Sequence, residues 1–370
     1  MLKKSILFSA GTGGYHLYRI PGLLVTPRGA VLATVEARRG HGGDWDDNDV
    51  VMRRSPDGRL TWEPGRLVVS QQQYGPGPVS NFVMIGDQLD GAVHALYCHD
   101  YARVFYLRSD DDGASFSAPV EITDVLRALR SEYPWRVIAT GPGHGLQLRN
   151  GRLIAPIWMS DGSGTEFGPG KLGHRPSVVS LITSDDHGRT WQAGDIVVRS
   201  EQQRNPSETA AVELADGRVL FNIRSESDTH RRLISISPDG IRGWSTPAFD
   251  EQLLEPVCMA SMVRYNWPTA KHPGLILFAN PDNLERSLEN WAPACDRKRL
   301  SVKLSYDECR TWPGTKVLEA GPSGYSDLAR LEDGSVLCLY ESGARNAGGD
   351  ERAITLARFD LEWMRERESE

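Results

Sequence analysis

Several short motifs in this chain place arginines close to carboxylates. Near the amino terminus they are Tyr18-Arg19-Ile20-Pro21, Glu36-Ala37-Arg38 and Gly43-Asp44. A guanidinium group binds a carboxylate through two charge-assisted hydrogen bonds, and an aspartate can donate or accept a proton. One arginine before Ile-Pro is more often a solvated strand residue, so a functional site depends on further motifs. These follow at Ser207-Glu208, Asn222-Ile223-Arg224, Gly324-Tyr325-Ser326-Asp327-Leu328 and Leu339-Tyr340-Glu341.

One eight-residue phrase recurs in five near copies. It is Ser-x-Asp-x-Gly-x-Thr-Trp, clearest at residues 184–191, with other copies at residues 55–62, 109–116, 237–244 and 305–312. Its Ser and Asp side chains can bond nearby backbone amides, its Gly can take positive φ, and its aromatic residue can be buried between sheets. Each copy therefore predicts a hairpin turn. Repetition at tens of residues is typical of a solenoid, propeller or array.

The segments around these turns are short and β-branched or alternating, which predicts strands. They include residues 32–35, 50–52, 104–107, 178–182, 233–236 and 302–304. Short helices are expected only near residues 124–131 and 361–367. We find no linker composition, so we predict one all-β domain over residues 1–370. A closed propeller of five to seven blades uses about this length.

Composition narrows the partners and the compartment. The net charge of −7 argues against nucleic acid or an anionic membrane as a partner. The five cysteines lack CxxC or His spacing, which predicts free thiols, a reducing compartment and no metal site. No signal peptide or membrane-length apolar run is seen. We therefore expect a cytoplasmic protein, or a secreted or periplasmic one if the sequence is a trimmed piece.

The motifs resemble those of the exo-sialidases, or neuraminidases, a family with Asp-box (BNR) repeats. That family carries Phe/Tyr-Arg-Ile-Pro, an acidic-x-Arg and an Asp about six residues on, and the recurrent phrase matches its Asp-box. Residues 138–145 also match, and the motifs follow the family order from about residue 8 to 360. The resemblance implies a six-bladed β-propeller with blades of four antiparallel strands.

The resemblance also implies how the substrate is held. A sialic acid carries a carboxylate on its anomeric carbon, and three arginines bind it in this family. Arg19 and Arg224 match two of them, and the third is Arg297, with Arg299 close enough to compete. Glu341 is expected to orient Arg19 through a salt bridge.

The resemblance gives the reacting groups as Tyr325, Glu208 and Asp44. A carboxylate nucleophile about 4 Å from the substrate carboxylate would be repelled by about 1 kcal/mol in water, or about 4 kcal/mol at a dielectric of 20. A neutral phenol avoids this cost, and sialidases are a known tyrosine-nucleophile exception among glycosidases. Glu208 matches the base that takes its proton. Asp44 matches the acid/base, although three aspartates share its loop: Asp46, Asp47 and Asp49.

The remaining polar residues have other expected roles. Arg38 is expected to line the site near the 4-position of the sugar, with Arg39 as its rival. The histidines, including His41, His99 and His144, lack metal-binding spacing, and His144 is expected to bond a backbone group. The Asp-box aspartates are expected to form turns away from the site: Asp57, Asp111, Asp186, Asp239 and Asp307.

We therefore predict an exo-α-sialidase that needs no cofactor. It would release terminal α-linked sialic acid, or a related nonulosonic acid such as KDN, from sialylated glycans. Hydrolysis would proceed with retention through a tyrosyl-enzyme intermediate. Two alternatives stay open: a catalytically silent Asp-box propeller that binds glycans or proteins, and a trans-sialidase, intramolecular or not, with the same core residues.

Overall fold

The computed structural model describes residues 1–288, 290–346 and 349–366, and most of their regular structure is β-strand. The strands in chain order are β1 (Lys3–Ser9), β2 (Leu17–Val25), β3 (Val31–Arg38), β4 (Asn48–Ser55), β5 (Arg66–Val69), β6 (Val79–Gly86), β7 (Val93–His99), β8 (Arg103–Ser109), β9 (Val120–Glu121), β10 (Val137–Thr140), β11 (Gly143–His144), β12 (Leu146–Gln147), β13 (Leu153–Ser160), β14 (Ser177–Ser184), β15 (Gln192–Ala193), β16 (Thr209–Glu213), β17 (Val219–Ile223), β18 (Arg231–Ser237), β19 (Ala248–Leu254), β20 (Ser261–Asn266), β21 (Leu275–Pro281), β22 (Lys298–Ser305), β23 (Gly314–Arg330), β24 (Val336–Ser342), β25 (Arg345–Asn346), β26 (Gly349–Asp350) and β27 (Ala353–Phe359).

The helices of the described residues are few and short. They are two 3-10 helices, Gln71–Gln73 and Thr123–Ser131, and the α-helix α1, Leu361–Arg365. The second and third coincide with the two predicted helical segments, although Arg367 lies outside the described residues. The predicted all-β class is confirmed. None of these helices is long and apolar enough to cross a membrane.

Antiparallel meanders form most of the sheets. Two four-stranded sheets run β2-β3-β4-β5 and β16-β17-β18-β19, and two five-stranded sheets are built on β6-β7-β8-β9 and β10-β13-β14-β15. A seven-stranded sheet runs β20-β21-β22-β23-β24-β27-β1. Its 17-residue strand β23 pairs with β22 through its first half and with β24 through its second. The pairing of β1 with β27 joins the two ends of the chain within one sheet.

The Asp-box copy at residues 184–191 forms the turn between β14 and β15. Asp186 accepts hydrogen bonds from the Ser184 hydroxyl (2.9 Å) and from the Thr190 amide (2.8 Å). Gly188 takes φ of 76°, and Trp191 is buried against Tyr106 of the neighbouring sheet, with 5.3 Å between ring centroids. The predicted turn and its buried aromatic residue are confirmed for this copy.

Large apolar side chains fill the spaces between neighbouring sheets. Val50 and Met52 of β4, for example, share one cluster with Met84 of β6 and with Tyr97 of β7. Burial of such surface is the main stabilising contribution to a fold of this kind. All five cysteines are free, as expected from their spacing, and the structure also buries all of them.

Candidate active site

One pocket of about 650 Å³ collects the predicted site residues. All seven residues expected to bind substrate or react line it: Arg19, Arg38, Asp44, Glu208, Arg224, Arg297 and Tyr325. Three of them lie on β2, β3 and β23, Asp44 lies in the loop after β3, and the other three directly adjoin β16, β17 and β22, so several sheets contribute to the pocket. Glu341, on β24, lies behind Arg19 and lines a smaller adjoining cavity.

Backbone irregularities aim side chains into this pocket. The pairing of β2 with β3 shifts register between Arg19 and Gly22, and Ile20 within the shift has φ of 56°. The pairing of β6 with β7 shifts in the same way, and Asn81 there also has φ of 56°. A β-branched residue at positive φ is an outlier that surrounding contacts must hold in place. Bulges of this kind commonly re-aim side chains beside active sites.

Tyr325 and Glu208 form the centre of the pocket. The Tyr325 hydroxyl donates a short hydrogen bond to Glu208, and Nη1 of Arg224 donates both to Glu208 (2.6 Å) and to the Tyr325 oxygen (2.8 Å). Burial and the Glu208 charge raise the pKa of Tyr325, so its hydroxyl keeps its proton. Burial would raise the pKa of Glu208, but the charges of Arg224 and Arg297 and the hydrogen bonds from Tyr325 and Arg224 together outweigh it, and the pKa is lowered. The pair is therefore a neutral phenol beside an ionised base.

Three arginines surround the phenol of Tyr325. Besides Arg224, the guanidinium carbons of Arg19 and Arg297 lie 5.2 Å and 5.1 Å from the Tyr325 ring centroid. Glu341 accepts hydrogen bonds from Nε of Arg19 (3.0 Å) and from the amides of Ile20 (3.1 Å) and Tyr325 (3.2 Å). The expected salt bridge between Glu341 and Arg19 is thus present, and it also fixes the backbone of the tyrosine.

Asp44 reaches the pocket from the loop after β3. Its carboxylate accepts a 2.7 Å hydrogen bond from Arg38, whose guanidinium also donates to Glu36 at 2.6 Å and 3.0 Å. Burial would raise the pKa of Asp44, but the charges of Arg38 and Arg19 hold it well below its usual range. Glu36, to which sequence reasoning gave no role, is buried behind Arg38, and this burial raises its pKa.

The structure places the rival arginine, Arg39, and the three rival aspartates, Asp46, Asp47 and Asp49, outside this pocket. Arg39 instead pairs with Asp49 (2.7 Å) and lies over the Tyr15 ring. Asp46 accepts from amides of its own loop, at His41 and Gly43. Among the described residues that line the pocket, Asp44 is therefore the aspartate of this loop.

Arg299 is likewise absent from the lining of the pocket. It has φ of 60°, and its carbonyl accepts hydrogen bonds from the Asp282 amide and the Ser301 hydroxyl. Arg297, two residues earlier, lines the pocket. The arginine that the sequence left ambiguous is therefore placed at position 297, although its role stays a prediction.

An aromatic wall in the same pocket was not foreseen. It consists of Tyr101, Trp158, Phe167 and His174. The centroid of the His174 ring lies 4.7 Å, 5.0 Å and 4.5 Å from the ring centroids of the first three residues, in that order. Burial lowers the pKa of His174 to about 4, so its imidazole is neutral near pH 7. Two of these residues lie between β13 and β14, in a segment without a recognisable motif.

His144 has a backbone partner, as expected, and a carboxylate partner besides. His144 Nδ1 is 2.6 Å from Asp327, a carboxylate partner that sequence reasoning missed, and it also has a backbone partner at Met262.

Asp87 and His187 form, with Asp90, a group compact enough for a metal ion, in the part of the chain that the structure describes. Asp87 and His187 already bond each other at 2.6 Å, outside the pocket.

Comparisons with known proteins agree with this architecture. The model of the BNR repeat-like domain matches residues 29–338. This chain is 29% identical to a sialidase of Micromonospora viridifaciens, in an alignment that covers 96% of this chain. It is 28% identical to mouse sialidase-3, in an alignment that covers 92% of this chain. It covers 91% of the mouse protein, but only 53% of the Micromonospora sialidase and 61% of a Bacteroides fragilis sialidase.

Solved structures of sialidases have the same fold. The Hadza microbial sialidase Hz136 superposes with a TM-score of 0.79 at 26% identity, over 97% of this chain and 69% of that one. A Trypanosoma rangeli sialidase in complex with 2,3-difluorosialic acid, at 19% identity, has a TM-score of 0.73 over 96% of this chain and 59% of that one, which is a likeness of fold. With the family model covering most of its length, this chain belongs to the sialidase family with BNR repeats.

Proposed function

We propose that this protein is an exo-α-sialidase. It hydrolyses terminal α-linked sialic acid, or a related nonulosonic acid such as KDN, from glycans, with retention at the anomeric carbon. One observation carries the proposal: the buried Tyr325 hydroxyl is bonded to an ionised Glu208 inside a group of three arginines. A phenol beside a base suits attack on a carbon that itself bears a carboxylate.

The arginines of the pocket suit an anionic substrate. Three guanidinium groups, of Arg19, Arg224 and Arg297, face two carboxylates, of Glu341 and Glu208, which leaves one positive charge for a ligand. Nε of Arg224 is buried without a hydrogen-bond partner. A substrate carboxylate would supply both the missing acceptor and the missing charge, because buried donors and charges are normally paired.

In the first step, the Tyr325 oxygen attacks the anomeric carbon and its proton passes to Glu208. Asp44, in its protonated form, gives its proton to the glycosidic oxygen as the bond to the glycan breaks. In the second step, the Asp44 carboxylate takes a proton from water, which attacks the same carbon. Tyr325 leaves and recovers its proton from Glu208. Two inversions at one carbon give overall retention.

Protonation of Asp44 is coupled to substrate binding in this scheme. The charges of Arg38 and Arg19 keep its pKa low before substrate binds. A bound substrate carboxylate offsets the positive charge of Arg19, and so raises the pKa of Asp44 toward the value that a general acid needs. The substrate thereby helps to prepare the acid that cleaves it.

We also propose that the sheets are the blades of one six-bladed propeller over residues 1–370, with four antiparallel strands in each blade. The two four-stranded and two five-stranded sheets supply four blades. The seven-stranded sheet supplies two, joined along β23 and completed by the pairing of β1 with β27. Such closure through the first and last strands would protect the sheet edges.

Product analysis tests the proposed activity. We expect 3′-sialyllactose to be cleaved and nuclear magnetic resonance to detect the α-anomer of sialic acid before mutarotation, with a KDN glycoside assayed beside it. Release of a 2,7-anhydro sugar would instead indicate an intramolecular trans-sialidase. No release from folded protein, with any of these substrates, would favour a glycan-binding propeller.

A further inference from the structure

Among the described residues, two buried glutamates and one partly buried glutamate make the same pair of contacts. Each accepts hydrogen bonds from one arginine and from a backbone N–H at or next to a residue with positive φ. Glu341 bonds the amide of Ile20, Glu36 that of Asn81, and Glu255 that of Cys258. Their arginines are, in the same order, Arg19, Arg38 and Arg232. The first two line the pocket, and the third is fully buried outside it.

The third copy joins two parts of the chain. Arg232 donates to both the side chain (2.6 Å) and the carbonyl (3.1 Å) of Asn222, and also to Glu255 and to the carbonyl of Cys258 (2.9 Å). Glu255 in turn accepts the Cys258 amide at 2.8 Å. The ion pair therefore fixes the end of β17 to the segment around Val257.

Both of those parts carry a pocket arginine. The carbonyl of Val257 accepts a 2.8 Å hydrogen bond from Nη2 of Arg297, and Asn222 lies two residues before Arg224. Val257 has φ of 66°, a conformation that a β-branched residue keeps only where neighbouring contacts impose it. The bonds of Glu255 and Arg232 to the next residue impose it here. Without them, the carbonyl that holds Arg297 would be free to turn.

We propose that Arg232 and Glu255 are a positioning pair, which sets Arg297 and Arg224 at the separation that lets both bind one substrate carboxylate. Neither member of the pair lines the pocket. The inference rests on the proposed function, because the carboxylate is that of a sialic acid. It predicts a defect limited to recognition of this carboxylate.

The test measures binding of the sialidase inhibitor DANA, which carries the carboxylate, and of its methyl ester, which does not carry the charge. Glu255→Gln keeps the shape and an acceptor for the Cys258 amide but removes the charge that holds Arg232. By titration calorimetry, we expect this variant to lose about tenfold in affinity for DANA and to keep its affinity for the ester. In kinetics, KM should rise more than kcat falls.

A matched control is available at Glu308. It pairs with Arg264 and accepts a backbone amide, that of Ala215, at 2.7 Å, but lies away from the pocket. Glu308→Gln should leave affinity for both ligands unchanged. Arg232→Lys, which keeps the charge but cannot reach all its partners, is the second variant if Glu255→Gln does not fold.

Each outcome decides the matter. Loss of DANA affinity alone supports the positioning role. Equal binding of DANA by Glu255→Gln and wild type, equal losses for acid and ester, or failure of both variants to fold would overturn it and leave the pair a purely structural one. If wild type itself does not bind DANA, the proposed function fails first, and the positioning role falls with it.

Discussion

The Tyr325 hydroxyl donates its hydrogen bond to Glu208, a residue 117 positions earlier in the chain. Arg224 helps to keep Glu208 ionised, and the negative charge of Glu208, together with burial, keeps the phenol of Tyr325 protonated. Proton transfer from the phenol to the carboxylate therefore has to accompany attack on the substrate. The catalytic contribution of Glu208 should then appear in kcat.

Replacement of this base tests that relationship. Glu208→Gln should lower kcat by about 10²- to 10⁴-fold, with a small change in KM, because proton transfer is lost and shape is kept. It also removes a charge that raises the pKa of Tyr325, so residual activity should increase as pH rises. Glu213→Gln, on β16, the strand that directly follows Glu208, but outside the pocket, is the control. A Glu208→Gln enzyme with wild-type kcat would contradict the assignment.

The role of Asp44 should depend on the leaving group. Asp44→Ala should lose about 10²- to 10⁴-fold in kcat with 3′-sialyllactose, whose sugar oxygen needs a proton to depart. The loss should be much smaller with the 4-methylumbelliferyl glycoside, because this phenol leaves without protonation. Steady-state rates on both substrates measure the difference, and Asp46→Ala serves as the loop control. Equal losses on both substrates would show that Asp44 is not the general acid.

His144 should make stability depend on pH. Burial lowers its pKa, but the Asp327 carboxylate raises it by more, so the folded-state pKa lies above the ordinary value of 6.5. The stabilising contribution is then complete below about pH 6.5 and is lost as pH rises through the folded-state pKa. The free energy of unfolding lost in His144→Gln should be larger near pH 5.5 than near pH 9, by urea titration.

An exposed histidine provides the comparison for that experiment. His272→Gln should give the same small change in unfolding free energy at both pH values, since His272 lies on the surface. A loss for His144→Gln that does not vary with pH would mean that the ion pair with Asp327 does not form in the folded protein.

The Asp-box should contribute to stability and not to substrate affinity. Asp186→Ala removes acceptors for Ser184 and Thr190, and should lower the free energy of unfolding by about 1–3 kcal/mol with KM unchanged. The neighbouring Asp185, half exposed and paired with Arg152, is the matched control, and its alanine variant should cost at most about 1 kcal/mol. A raised KM in Asp186→Ala would show that this Asp-box contributes to substrate binding.

Local patterns in the sequence carry the parts that were predicted well. The turn at residues 184–191 is held by hydrogen bonds within eight residues, and the pattern of side chains in a strand such as β8 indicates that strand by itself. Both can therefore be inferred from short stretches of sequence. The all-β class follows from many such stretches. The motif positions of Arg19, Glu208 and Tyr325 were enough to place them in one pocket by resemblance.

Other features depend on geometry that short stretches of sequence do not contain. The choice between Arg297 and Arg299 follows a register shift at the start of β22 and the positive φ of Arg299, which break the normal alternation of side chains. The partners His144 and Asp327 lie 183 residues apart. The wall around His174 is built from several segments without a repeat, so it had no sequence signal.

The most direct test of the account is covalent trapping with 2,3-difluorosialic acid. Attack by the enzyme nucleophile expels the anomeric fluoride, and the second fluorine slows hydrolysis of the intermediate. We expect intact-protein mass spectrometry to detect one added sugar on wild type, peptide mapping to place it on Tyr325, and Tyr325→Phe to remain unlabelled. An adduct on Asp44 or Glu208, or no adduct on wild type that releases 4-methylumbelliferone from its sialic acid glycoside, would contradict the tyrosyl-enzyme mechanism.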